Sequence, residues 1–190
     1  MPHQPAMDLD HPNEYRPDSR AGKLFVILLV LAAVAAAVPI LLKRDVKLIP
    51  KGRAPEITAA GWVNGEAPTR ASLAGKVVVV CVWATWCGPC VAEAPHLVAV
   101  HKQFADRGVV FVGLTTDGAE DLDKVRHFLK KAGITWPNGW GAFETSRALK
   151  ADAIPALYVI GPDGQLLWFN QEDGGELESV LESVLRQTSI

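Results

Sequence analysis

The sequence is short of cysteine and short of excess charge, and each shortage excludes a class of function. Only three cysteines occur, Cys81, Cys87 and Cys90. They are too few and too clustered to staple a secreted scaffold, so they read as chemistry. The 19 basic and 21 acidic residues leave a formal charge of -2. That supplies neither the basic field that a nucleic-acid partner requires nor an acidic tail for cationic partners. With 49% of its 190 residues apolar, the chain is not a disordered one and can bury a real core.

Charge is missing altogether from Leu24 to Leu42, which reads LFVILLVLAAVAAAVPILL between Arg20 and Lys23 on one side and Lys43 and Arg44 on the other. At ~1.5 Å per residue this run approaches the ~30 Å hydrocarbon core of a bilayer, and it predicts a single transmembrane anchor over residues 24–42. A buried core helix would carry polar residues on at least one face. A cleaved signal peptide stays open, because Ala33-Val34-Ala35 and Ala35-Ala36-Ala37 offer small-residue cleavage patterns. Against it, the run exceeds the usual apolar region of about 7 to 15 residues, and cleavage would leave apolar Pro39 to Leu42 at the new terminus. Charge does not set the orientation. Arg16, Arg20 and Lys23 face Lys43, Arg44, Lys47, Lys51 and Arg53 across the segment, and long domains translocate largely regardless of charge. Residues 1–23 hold Pro2, Pro5, Pro12 and Pro17 without apolar periodicity and are expected to be a disordered tail. Residues 43–54 read as a linker.

The remainder, 55–190, reads as one α/β domain. Val77 to Trp83 is VVVVCVW, a β-branched run of the kind buried on both faces of a parallel sheet. A helix is expected from Cys87 to about Asp106, a strand from Val109 to Leu114, and a helix from Glu120 to Lys131 closed by Gly133. A short helix near Glu144 to Leu149 follows. Ala156 to Ile160 and Gln165 to Phe169 flank Gly161-Pro162-Asp163-Gly164 as a hairpin, and Glu176 to Arg186 is a last amphipathic helix. Strands alternating with helices define a layered α/β architecture.

The sharpest feature is Trp86-Cys87-Gly88-Pro89-Cys90, at the junction of a buried strand and a helix. With Cys87 at the N-cap and Cys90 one turn on, the two sulfurs come within disulfide reach. Pro89 falls in the first turn, where its missing N–H costs nothing. Cys87 also faces the positive end of the helix dipole, which favours thiolate over thiol. The pattern is that of a redox-active dithiol. Two cysteines at this spacing also make half of a zinc site, but no second pair exists and nothing positions His96 or His101 as the missing ligands.

From Pro55 to Arg186 the sequence resembles the thioredoxin superfamily. The matching features are the unaltered WCGPC, Ile154-Pro155 directly before the strand ALYVI, and Pro95 five residues after Cys90. SLAGK at Ser72 to Lys76, followed by WATWCGPCVAEAP, resembles the membrane-anchored TlpA/ResA group of thiol:disulfide oxidoreductases, with CcmG-like proteins as relatives. The resemblance implies a mixed sheet flanked by helices, Cys87 as nucleophile, Cys90 as resolving thiol, and Glu93 serving the active site. It also implies a cis Pro155 facing the cysteines, with Trp86, Ile154 and Pro155 lining the substrate surface. No metal and no organic cofactor are expected. Where thioredoxins carry a buried aspartate, six residues before the first cysteine, this chain has Cys81. That leaves the usual proton acceptor missing and puts more weight on Glu93. Cys81 itself reads as an inert, buried small hydrophobe. Ala156 stands where many relatives have threonine.

The resemblance further implies an extracytoplasmic domain at the cell membrane, on the periplasmic side. Its expected clients hold Cys-x-x-Cys pairs, apocytochrome c or copper-site assembly proteins, and its electron donor is expected to be a membrane dithiol protein of DsbD/CcdA type. Two other readings are a peroxidase on the same fold and a non-enzymatic copper or zinc chaperone using the cysteine pair. Peroxiredoxins usually place a threonine three residues before the peroxidatic cysteine, and Ala84 holds that place here.

Overall fold

A computed structural model describes residues 19–41, 48 and 51–188, which fall into an N-terminal helix and a separate domain. Helix α1 runs Ser19–Leu41. Its side chains are described from Gly22 to Val34, and the large apolar ones from Leu24 to Val34 are exposed. Among the described residues no helix is long and apolar enough to cross a membrane. The side chains of residues 35–42, the second half of the expected anchor, lie outside the described set, as do most of the expected tail and linker. Within the tail, Ser19 to Lys23 are helical, because the apolar run propagates its helix one turn toward the N-terminus.

The domain is built on a six-stranded sheet. Its strands are β1 (Gly61–Val63), β2 (Val77–Trp83), β3 (Val109–Thr115), β4 (Asn138–Trp140), β5 (Ala156–Ile160) and β6 (Leu166–Phe169), in spatial order β1-β4-β3-β2-β5-β6. Strand β2 pairs parallel with β3 and antiparallel with β5, so both of its edges are satisfied and all seven residues are buried. The outer strands β1 and β6 close the sheet in antiparallel register. The expected mixed α/β sheet is thus present.

Alternation along β2 divides the core. Val77, Val79, Cys81 and Trp83 face a layer formed by α3 (Gly88–Phe104), α4 (Leu122–Ala132) and α6 (Leu177–Thr188). In α3 the buried positions Cys90, Ala94, Leu97, Val100 and Phe104 follow helical spacing and form the stripe that meets the sheet. Val78, Val80 and Val82 point the other way, toward Leu149, Tyr158 and Phe169. Helix α2 (Arg70–Leu73) is one turn fixed by a Thr69–Ser72 capping box, and α5 (Phe143–Ala148) follows β4.

Three elements were not expected from sequence. β1 and β4 are three residues each and contain Gly61 and Gly139, and α2 is a single turn, so none is long enough to show a period. Residues 51–54, expected in the linker, pack onto the domain. Lys51 N–H donates to the Leu166 carbonyl at 2.8 Å, Ala54 N–H to the Gly164 carbonyl at 2.9 Å, and Arg53 forms an antiparallel bridge with Gln165. The pairing groups come from Gly164, Gln165 and Leu166, where the chain enters β6.

One close approach holds the sheet centre together. Trp83 Nε1–H donates to Asn138 Oδ1 at 3.0 Å and Asn138 Nδ2–H to the Trp136 carbonyl at 2.8 Å. A Cβ at Gly113 would overlap Asn138 Oδ1. Gly113→Ala is therefore expected to expel Asn138 from this position and destabilise the domain by ~1–3 kcal/mol, read as a lower urea midpoint. An unchanged midpoint would contradict it.

Candidate active site

Strand β2 ends at Trp83, on the edge of the sheet where parallel strands of α/β folds present their carboxyl ends. The next three residues turn the chain into α3. Cys87 N–H donates to the Ala84 carbonyl at 3.1 Å, closing the turn. Thr85 N–H donates to Asp117 Oδ2 at 2.8 Å, and the same oxygen accepts the Thr115 hydroxyl at 2.8 Å. Asp117 is 5% exposed and sits just past the end of β3. It ties the cysteine-bearing turn to the neighbouring strand. Sequence reading missed this residue; the only signal was the polar run Thr115-Thr116-Asp117-Gly118 following a buried strand.

Cys87 caps α3, its Sγ accepting the Cys90 backbone N–H at 3.1 Å, with Pro89 in the first turn. The two cysteines form a disulfide with their Cα atoms 5.3 Å apart. Both are buried, 3% and 4% exposed. Accessibility in the disulfide form therefore does not rank them; what differs is position, Cys87 standing at the helix terminus and Cys90 inside its first turn. Trp86 beside them is 74% exposed and Val91 51%, an apolar collar on the solvent side.

Beneath the disulfide a narrow cleft of about 10 Å³, room for about one water, is lined by Cys81, Cys90, Glu93, Asn138 and Pro155 among others. The Ile154–Pro155 bond is cis, and both residues are half-buried. The pairing of Val82 with Ala156 sets the start of β5 beside the end of β2, which brings Pro155 to the site. Cys81 is a free thiol inside the sheet. Burial pushes its pKa up to about 12, with the nearby Glu93 carboxylate adding to the effect, so it stays a neutral thiol. A cavity of about 120 Å³ lined by Arg53, Arg70 and the 161–164 hairpin is at the other end of the sheet, beside Val78 rather than Trp83.

Glu93 is one turn beyond Cys90 on α3 and is 31% exposed. Its Oε1 lies 2.7 Å from His96 Nδ1, and His96 Nε2 lies 2.8 Å from Glu178 Oε1 on α6. The bond to Glu93, and then that to Glu178, raises the His96 pKa from its ordinary value. Sequence reading singled out Glu93 but could not join it to Glu178, 82 residues further on.

A disulfide spanning the first turn of a helix, at the carboxyl edge of a thioredoxin-like sheet, defines a protein that carries two electrons as a dithiol. This class is that of the thiol-disulfide oxidoreductases. The chain matches the AhpC/TSA family over residues 50–169 and belongs to that family. It is 29% identical over 150 residues to the thiol-disulfide oxidoreductase ResA of Oceanobacillus iheyensis, covering 74% of this chain and 75% of that protein. With ResA of Bacillus subtilis it shares 30% over 108 residues, 55% of this chain and 58% of that one. The crystal structure of a thiol:disulfide interchange protein of the thioredoxin family from Chlorobium tepidum superposes with a TM-score of 0.58 at 30% identity, covering 75% of this chain and 98% of that structure.

The Asp117 tie has a measurable consequence. Asp117→Ala leaves the Thr85 N–H and the Thr115 hydroxyl without their acceptor, which is expected to cost about 1–3 kcal/mol and to slow disulfide exchange by loosening the turn before Cys87. Urea unfolding together with an exchange assay checks both effects. Parent-like stability and rate would show that the tie holds nothing.

Proposed function

We propose that this chain is a membrane-anchored thiol-disulfide oxidoreductase that reduces disulfides in client proteins outside the cytoplasm. The observation that carries the reading is the Cys87–Cys90 bond across the first turn of α3, with the Cys90 amide on Cys87 Sγ. In this reading the reduced Cys87, favoured as thiolate by the helix N-terminus, attacks a client disulfide and forms a mixed disulfide while one client sulfur leaves as thiolate. Cys90 then loses its proton to Glu93 and attacks Cys87 Sγ. The Cys87–Cys90 bond forms, the Cys87–client bond breaks, and the second client sulfur departs as thiolate to be protonated by solvent. Two electrons pass from the enzyme dithiol to the client.

Trp86, Ile154 and Pro155 form the client-binding surface, the extended backbone before Pro155 pairing with an incoming peptide. The uncharged run Leu24 to Leu42 within and beyond α1 supports an anchor, and an anchored domain meets a membrane electron donor more often than a free one. From the resemblance of the motif region to the TlpA/ResA/CcmG group we infer clients with Cys-x-x-Cys pairs, apocytochrome c or copper-site assembly proteins, and a donor of DsbD/CcdA type at the periplasmic face of the cell membrane.

Cys90→Ser removes the thiol that releases the mixed disulfide, so clients should remain on Cys87. Mass spectrometry of complexes trapped in cells expressing Cys90→Ser is expected to recover extracytoplasmic Cys-x-x-Cys proteins. Recovery of cytosolic proteins alone would overturn the compartment, and recovery of none, with normal cytochromes in a deletion strain, would overturn the maturation role. Glu93→Gln should slow exchange about tenfold or more with the fold intact. A parent-like rate across pH 5 to 9, an order-of-magnitude test window, would make Glu93 a surface charge.

A further inference from the structure

Helix α3 reaches α6 through a side-chain bridge that the reaction described above does not use. His96 lies between two carboxylates, its Nδ1 2.7 Å from Glu93 Oε1 and its Nε2 2.8 Å from Glu178 Oε1. All three side chains are about one-third exposed. Glu178 Oε2 is buried and has no hydrogen-bond partner among the described residues, so the bridge is what fixes that carboxylate. Glu93 Oε1 is taken by His96, and the carboxylate lines the same cleft as Cys90.

We propose that His96 is the positioning residue for the resolving half-reaction: as an imidazolium anchored on Glu178, it holds Glu93 Oε1 so that Glu93 Oε2 faces the proton of Cys90. The proposal rests on the reading in which Cys90 resolves and Glu93 is its base. Without the bridge, the Glu93 side chain has rotamer freedom of its own and samples the cleft only part of the time. The charges acting on the imidazole are Glu93 from its own helix and Glu178 from α6. Cys81, the titratable group on β2 that lines the cleft with Glu93, stays a neutral thiol.

The sign of the pH dependence follows. Because the folded pKa of His96 is raised, the bridge is complete below the ordinary value of about 6.5 and is lost as the pH rises through the raised value. Its benefit to resolution therefore belongs to the acidic and neutral range. At higher pH hydroxide competes with Glu93 for the Cys90 proton, and the bridge contributes less.

The reduced full chain in detergent, mixed with 5,5′-dithiobis(2-nitrobenzoic acid), should release two coloured thiolates in sequence. The first marks attack by Cys87 and the second marks resolution by Cys90. His96→Gln is expected to leave the first phase within about twofold and to slow the second about tenfold near pH 6.5, converging on the parent rate near pH 9. Glu178→Gln should keep its rate advantage over His96→Gln at low pH but lose that advantage at a lower pH than the parent does, since His96 then lacks one of the carboxylates that raise its pKa. A second phase in His96→Gln with the parent's rate and pH profile would overturn the proposal. So would uniform slowing at every pH, which is the mark of a merely structural role, or a Glu178→Gln profile identical to the parent's. Release of only one thiolate by the parent would instead overturn the Cys87–Cys90 reading itself.

Discussion

Seven buried residues of β2 carry the chain to the edge of the sheet, and a turn tied down by Asp117 hands it to the first turn of α3 with Cys87 as the capping residue. The rest of the site depends on that junction. A helix N-terminus presents amide donors without intrahelical partners, and here the Cys90 amide finds the Cys87 sulfur. The same turn sets the spacing that permits the disulfide.

What the junction cannot supply is a proton acceptor from below. Of the β2 residues that line the cleft, Trp83 carries no acid and Cys81 is held by burial as a neutral thiol. In the proposed reaction proton handling falls to Glu93, which shares the cleft with Cys90, while His96 and Glu178 hold its carboxylate in place. The arrangement puts the acceptor on the same rigid helix as the resolving cysteine, one turn apart, and uses tertiary packing to orient it. Trp86 and Val91 are exposed on the solvent side of the disulfide and line an open depression together with Asp121, Asp123, Lys124 and Lys131.

Much of this was legible in the residues, for identifiable reasons. β2 declared itself because four consecutive valines have only a strand to occupy, and α4 because its apolar stripe ends at Gly133 with φ 73°. The cysteine pair was legible because its function is local, confined to one helical turn. Elements whose identity is set by neighbours were not legible. β4 exists because Gly113 leaves room for Asn138, and Asp117 and Glu178 matter through partners 32 and 82 residues away. Pairings of that range leave no period in the sequence.

The central claim is that position at the helix terminus, rather than accessibility, makes Cys87 the attacking group. Timed alkylation of the reduced chain over a series of pH values, with each cysteine followed by peptide mass spectrometry, tests it directly. Accessibility scales a thiol's rate equally at every pH, so the pH at which each cysteine begins to react reports its thiolate character. Cys87 should react at lower pH than Cys90, with Cys81 unreactive until the chain unfolds. Simultaneous labelling of Cys87 and Cys90, or earlier labelling of Cys90, would contradict the account.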